Sequence, residues 1–578
     1  MIPLLVFTSA LVCAGETVSK ERVETITAPS HRYVIELGGT LDAQNTIATP
    51  HVFGRNTMER PLFEPNVEVR IENLGDTAVQ NVRLTANGRG NRRSLDGIVA
   101  EAYRRYAGKT GGLTDREKAL ALWQCFRDSV YHYNAPEFWI EEGVTKSDLF
   151  DAVHLLNSYE NSGCADAAIC LSQLWQHAGL KSRVWNFGTK HWVSEAWFDG
   201  GWHMLDADMR VFYLKRDNQT IAGVEDCIAD RELIRRTHHY GPFAKPDPKD
   251  DAAHGSWYLD KNTGTVFEPG ACEPMTMDLR PGEALLYRWD NVGKFHDNWR
   301  HASTKPKFAN GKIIYRLPKP LMHEQHAWDS HIIPVRSPWC IVGGKFSARL
   351  VRPSEGKGGL LRVDISFDRK DWTCLWDSNR QKDSKIVVNL DDVIATKRTN
   401  AKYQYWLNVQ ILKRDAKAED YRLENVAIET DVEMNAHASP SLALGRNEIE
   451  YADDSTGPRN IRVTHQWRES SENTPPAAPA EGRYTDGVLT WKPATDADGD
   501  AMVDHWVEIR GDPEMRWPLS CNLEQVTRSG APRYEPRPGS LSPGETYFWH
   551  VRAADKRGAW SAWSPTFQFV AAADKQPK

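Results

Sequence analysis

The chain has 578 residues, of which 40% are hydrophobic and 26% charged. That is the composition of folded globular domains, about four of them at roughly 150 residues each, and it excludes a disordered polymer. A formal net charge of −6 lacks the basic excess of a dedicated nucleic-acid binder, and the 22 Trp suit β-sandwich cores more often than sugar-facing surfaces.

Residues 2–14, IPLLVFTSALVCA, form an apolar run too short for a bilayer, which takes about 20 residues. Val12-Cys13-Ala14 places small residues ahead of a cut before Gly15, so residues 1–14 are expected to be an export signal, although no Lys or Arg precedes the run. No second run approaches spanning length. The expectation is a secreted or periplasmic chain without a transmembrane anchor.

From 15 to 95 the chain reads as strands of an N-terminal β-sandwich-like domain: VEVRIENLG and VQNVRLTANG alternate with period two. Near 96 the pattern turns helical. Thr114 and Glu117 form a capping box before ALALWQCFRDSV. A second helix is expected from near Gly163 to Gly179. The strands SRVWNF, HWVSEAWF and GWHMLDAD follow. Helices and then strands over 96–245 predict an α+β domain.

Residues 246–274 read as a linker, and 275–468 as a β-sandwich domain carrying GKFSARLV, LLRVDISF and YQYWLNVQIL. Thr474 to Pro479 is a Pro-rich hinge, and strands return over 474–571. The fold class is therefore multidomain, α+β and all-β.

Nine cysteines are present. Cys13 leaves with the signal. Cys125, Cys164, Cys170, Cys227, Cys272, Cys340, Cys374 and Cys521 remain, too thinly spread for a disulfide scaffold, and no CxxC occurs. His323-Glu324-Gln325-His326 is one residue short of HExxH. The acidic turn from Thr495 to Asp500 lacks the later residues of a calcium loop. No metal or other cofactor is expected.

The chemistry concentrates in Gly163-Cys164, His191 and Asp206. A Cys in the first turn of a helix feels the positive end of the helix dipole, which favours the nucleophilic thiolate. A His must hold or supply the proton, and an acid must fix its tautomer. Antiparallel pairing of the strands around Asp199-Gly200-Gly201 is expected to bring His191 beside Asp206. Taken singly, a helical Cys is more often a buried apolar residue, and a His or Asp at a strand end more often polar trim. The combination is what points to catalysis.

The stretch TDREKALALWQCFRDSVYHY, GCADAAICLSQLWQHAGLKSRVWNF and HWVSEAWFDGGWHMLDAD resembles the transglutaminase-like superfamily. Gly-Cys leads a helix, Gly179-Leu180-Lys181-Ser182-Arg183-Val184 follows, and Trp202 to Asp206 closes the order. The resemblance covers 110 to 120 residues. It implies a papain/transglutaminase-like α+β core with Cys164 as nucleophile, His191 as base and later acid, and Asp206 as orienter. The sequence departs from the family pattern in two places. Trp192 follows His191 at +1 instead of +2, and Asp208 is a second acid competing with Asp206. No oxyanion side chain is assigned; Trp139, Asn157 and Tyr159 are candidates beside the Cys164 amide.

The stretch 474–571 resembles a fibronectin type III module through Leu489-Thr490-Trp491, Leu541 to Arg552 and Trp560-Ser561-Ala562-Trp563-Ser564. Ser366 to Trp372 is similar to a turn seen beside sugar-binding sandwiches, although core packing outweighs carbohydrate contact there. These features imply an exported cysteine enzyme that cleaves or exchanges amide bonds through a Cys164 thioester, most readily a peptidase or amidase. Its substrate would be a peptide, a protein or a cell-wall or glycan polymer. The alternative is a catalytically silent scaffold or glycan-binding protein of the same fold.

Overall fold

The computed structural model describes residues 17–37, 46–47, 62–63, 66–132, 150–237 except 160, 188–190, 210 and 218, 272–289, 294, 310–322, 328–352, 359–380, 383–394, 402–412, 422–470 except 444, 473–515, 524–527, 530–536 and 541–572 except 558. The expected export signal, most of the 246–274 linker, Trp139 and His323 to His326 lie outside the described residues.

The largest element is a 12-stranded sheet. Its strands run in the order 17–26, 461–470, 66–73, 283–288, 310–316, 422–433, 328–351, 402–412, 360–366 and 373–377, with 321–322 and 385–389 paired off this path. All its pairings are antiparallel. Stretches expected in two separate sandwiches, 15–95 and 275–468, thus share one ladder. The reason is local: the strand Asn66–Asn73 has Val69 and Ile71 fully covered and is buried without a break from Ile71 to Asn73, and it needs a partner on each edge. It finds 283–288 on one side and 461–470 on the other.

A three-stranded sheet of 30–37, 445–452 and 83–86 adds Ile35, Leu37 and Ile449 to the same core as Val69, Ile71 and Val463. The two sheets are also tied by Tyr33, whose hydroxyl lies 2.7 Å from Nε2 of the buried His465.

Among the described residues, four α-helices stand between the strands 83–86 and 182–186: α1 (Leu95–Ala102), α2 (Asp115–Arg127), α3 (Ala152–Ser158) and α4 (Cys164–His177). The predicted capping box is present, with Thr114 and Glu117 bonded reciprocally at the start of α2. α2 and α4 pack on a three-stranded sheet ordered 201–204, 192–198, 182–186. The helical unit is bonded firmly to the large sheet's chain. Asn435 donates to the carbonyls of Ser129 and Tyr159 at 2.9 and 3.0 Å, and Leu120, Trp123 and Trp175 belong to one continuous core with Val363 and Leu407.

Residues 480–570 make two antiparallel sheets of three and four strands around their own core of Leu489, Trp491, Val507, Tyr547, Trp549 and Phe569. Arg552 lies 4.7 to 5.0 Å from the ring centres of Trp506, Trp560 and Trp563. The acidic turn at 495–500 is a structural turn: Asp496 Oδ1 accepts from the amides of Asp498 and Asp500, and Asp500 pairs with Lys556 at 2.7 Å. Among the described residues, no helix is long and apolar enough to cross a membrane.

Candidate active site

Cys164 is the first residue of α4, directly after the extended Gly163. The turn is held by Asp166, fully buried, whose Oδ2 accepts from the Gly163 amide at 2.9 Å. The first-turn amides of a helix have no partner within it. The Cys164 sulfur therefore sits where backbone N–H groups and the helix dipole favour negative charge. Cys164 is half-buried, whereas Cys125, Cys170 and Cys227 are fully covered. Burial pushes the thiols of all three upward, with Cys227 and Cys170 displaced furthest. All seven described cysteines are free thiols.

His191 stands just ahead of the strand Trp192–Phe198. This strand turns into Gly201–Met204 through Asp199 and Gly200, both with positive φ (48° and 78°), the signature of a two-residue type I′ hairpin. That turn fixes the register: Phe198 faces Gly201 and Glu195 faces Met204. Continued, the same register would set Asp208 opposite His191 and leave Asp206 two pairs behind, opposite Val193. The expected side-by-side placement of His191 and Asp206 within the ladder is thus not how they meet. The strand ends at Met204, and the Leu205 amide bonds Ser194 O at 3.2 Å. The chain then turns so that Asp206 pairs its backbone with Val211.

That departure brings the Asp206 carboxylate to the imidazole. Its Oδ2 lies 2.6 Å from His191 Nε2, and its Oδ1 accepts from the Met209 amide at 2.8 Å. The Asp206 carbonyl accepts from Trp123 Nε1 of α2 at 3.0 Å. The other ring nitrogen, Nδ1, is 4.0 Å from Asp208 Oδ2, too long for a hydrogen bond. Cys164 Sγ, a His191 ring nitrogen and an Asp208 carboxylate oxygen all lie within 4.8 Å of one another. His191, Asp206 and Asp208 are each less than 5% exposed. Burial alone would lower the His191 pKa. The charge and hydrogen bond of Asp206 outweigh it, with Cys164 adding to the effect, and the pKa is raised well above the ordinary histidine value.

Two supporting residues have roles that the sequence reading did not assign. Trp123 lies on the buried face of α2 like any core aromatic, and its indole N–H fixes the Asp206 peptide. Glu195, fully buried, accepts from Arg183 Nε (2.5 Å), Trp185 Nε1 (2.6 Å) and the Val224 amide (2.6 Å). It ties the strand 182–186 and the start of helix α5 (Val224–Ala229) to the strand that follows His191. The oxyanion candidates fare differently. The Asn157 amide donates to the carbonyls of Arg92 and Val153, and the Tyr159 hydroxyl is 3.3 Å from that of Tyr403. Both side chains are engaged elsewhere, and the first-turn amides of α4, which have no partner within the helix, remain as candidate donors.

No protein-family model matches the chain, and no curated protein is similar to it at a significant level. Solved structures resemble parts of it. The twitchin kinase region from C. elegans is 22% identical over 18% of this chain and 17% of its own length, at a TM-score of 0.13. The chicken CNTN1 FN1–FN3 domains are 14% identical over 42% of this chain and 65% of theirs, at 0.15. A β-1,2-glucanase from Parabacteroides distasonis is 12% identical over 51% and 32%, at 0.14. Likeness at those scores carries no argument about fold or chemistry.

Proposed function

We propose that the chain is an exported transglutaminase-like cysteine enzyme that cleaves or exchanges amide bonds, with Cys164 as nucleophile, His191 as proton carrier and Asp206 as its orienter. In this reading, residues 96–245 form the papain/transglutaminase-like α+β core and 474–571 a fibronectin type III-like module. The observation that carries it is the 2.6 Å contact of His191 Nε2 with Asp206, which turns the opposite edge of the ring toward the Cys164 side. A cationic imidazole beside a thiol at a helix start is the setting in which sulfur attacks as an anion.

The steps follow from that placement. Sγ adds to the carbonyl carbon of an amide, and the oxygen takes the negative charge toward the α4 amides. As the C–N bond breaks, the imidazolium gives its proton to the leaving amine, and a Cys164 thioester remains. Water then gives a proton to the neutral imidazole as it attacks. The thioester opens to a free acid and the thiolate, and the imidazolium is restored. A second amine in place of water would give transamidation. Hydrolysis is favoured because water needs no second binding site.

A thiol-directed electrophile tests the reading. Brief exposure of the whole protein to a chloroacetamide at neutral pH, followed by peptide mass mapping, should label Cys164 far faster than Cys125, Cys170 or Cys227. Cys164→Ala should abolish turnover of peptide amides across a substrate panel. Equal labelling of all four thiols, with turnover surviving in Cys164→Ala, would return the protein to the silent-scaffold alternative.

A further inference from the structure

In the Cys-His-Asp relay proposed above, on which this inference builds, the acid's place is taken by Asp206 and not by Asp208. Asp206 already occupies His191 Nε2 at 2.6 Å. Asp208 lies on the other side of the ring, 4.0 Å from Nδ1, with the sulfur of Cys164 closing the group. A soft thiolate, an imidazole nitrogen and a hard carboxylate therefore converge on one point. The imidazole's far nitrogen is held by a second carboxylate, which is the outer-shell partner that metal-ligating histidines usually have.

The dimensions suit one ion class. Zinc bonds of roughly 2.0–2.3 Å in a tetrahedron hold ligand atoms roughly 3.3–3.8 Å apart. Here the spread reaches 4.8 Å at most, so modest side-chain rotation closes the set. Charge argues the same way. A thiolate and the Asp208 carboxylate sum to −2 and balance a divalent cation, while Nε2–H stays donated to Asp206 and Nδ1 faces the ion. Ca2+ and Mg2+ require six or more oxygen ligands or ordered waters and avoid sulfur. The half-buried position of Cys164 leaves a way in and room for a fourth ligand from solvent.

We infer that Cys164, His191 and Asp208 form a three-ligand site for Zn2+ or a similar borderline-soft divalent ion, which caps the thiolate and holds the protein in a reversibly blocked state. The ion occupies the attacking sulfur and the proton-carrying nitrogen at once, so capped and reactive forms exclude each other. A capped thiolate is also shielded from oxidation.

The test is direct binding, independent of whether any substrate is turned over. The whole protein is stripped with EDTA, dialysed and titrated with ZnCl2 by calorimetry and with CoCl2 by absorption spectroscopy. Expected are one equivalent that is lost in Cys164→Ser, a thiolate-to-cobalt charge-transfer band, and an affinity at least tenfold weaker in Asp208→Asn. Asp206→Asn should weaken binding about 10- to 100-fold as an outer-shell change. Absence of the charge-transfer band in the wild-type protein, or Cys164→Ser binding as tightly as wild type, would overturn the site even if Asp208→Asn fails to fold. So would wild-type affinity in a folded Asp208→Asn. The amide-cleavage reading stands or falls separately, on Cys164 labelling and turnover in EDTA.

Discussion

At the scale of single residues, one imidazole is flanked by two buried carboxylates with different duties, and the distances separate them. Asp206 spends both oxygens, one on His191 and one on the Met209 amide, and cannot swing away. Asp206→Asn should leave the fold intact while lowering kcat about a thousandfold or more, because an amide can hold the wrong His191 tautomer; steady-state kinetics beside an unchanged melting curve would check it. Cys170→Ala, two turns into α4 and fully buried, should keep activity. The grouping of Cys164, His191 and Asp206 was legible because each stands at or just past an element boundary: a helix start, a strand start, the turn that follows a strand. Asp208 was legible as a rival acid but not as a neighbour of the sulfur, since which ring nitrogen an acid meets depends on the ring's rotation. Trp123 was hidden for another reason. Its apolar ring satisfies the helix pattern completely, and nothing in a hydrophobic period reveals where one N–H points.

At the scale of elements, the hairpin sets the site and Glu195 sets the hairpin. Removing its charge leaves Arg183, stacked over Trp185 and Trp202 at 4.9 and 4.4 Å, with only the looser Glu225 contact at 3.8 Å among the described ion pairs. Glu195→Gln should cost about 3 kcal/mol, in line with breaking a buried ion pair, and should raise amide hydrogen exchange across 182–204 before it does so elsewhere. The Asp199-Gly200 pair announces a two-residue turn in the sequence, and with it the Glu195–Met204 register. What it could not announce is that the strand stops at Met204, because Asp206 finds Val211 as a backbone partner in a segment without strand pattern. The sandwich elements carry a pH signature of their own. Burial holds His465 down at about 4. Its folded pKa is depressed below an unfolded value of about 6.5, so the unfolded chain binds more protons between the two. Stability is then full above pH 6.5 and falls as pH drops toward 4, by about 3 kcal/mol. Hydrogen exchange of the strand 461–470 should accelerate across that window, and His465→Asn should flatten the dependence.

At the scale of the whole molecule, the described residues combine one large core, from the helices through the large sheet, and smaller clusters beside it with a separate core for 480–570. Among the described residues, the second unit meets the first through polar bonds, one part-buried and one exposed: Ser542 Oγ to Asp217 O at 3.0 Å and Gln219 Nε2 to Glu545 at 2.7 Å. Each is worth about 1 kcal/mol at most. A protein ending at Glu472 should therefore remain folded and active on small soluble amides, as gel filtration and turnover would report; aggregation would reveal an obligatory interface. A break at residue 95 should fare otherwise, because strands on both sides of it lie in the same ladder.

That ladder also sets an order of events during synthesis. The strand 66–73 emerges early, yet its neighbours 283–288 and 461–470 come far later. At 5–20 residues per second, roughly 20 to 80 s separate its appearance from that of its last partner. Throughout that interval, a strand with Val67, Val69 and Ile71 among its residues offers two open edges to any other nascent chain. Such a protein gains from leaving the ribosome's vicinity unfolded in the grip of a holding chaperone. The late strand 461–470 acts as a timer, for only its arrival closes both the first strand of the sheet and the interior strand 66–73 in one step.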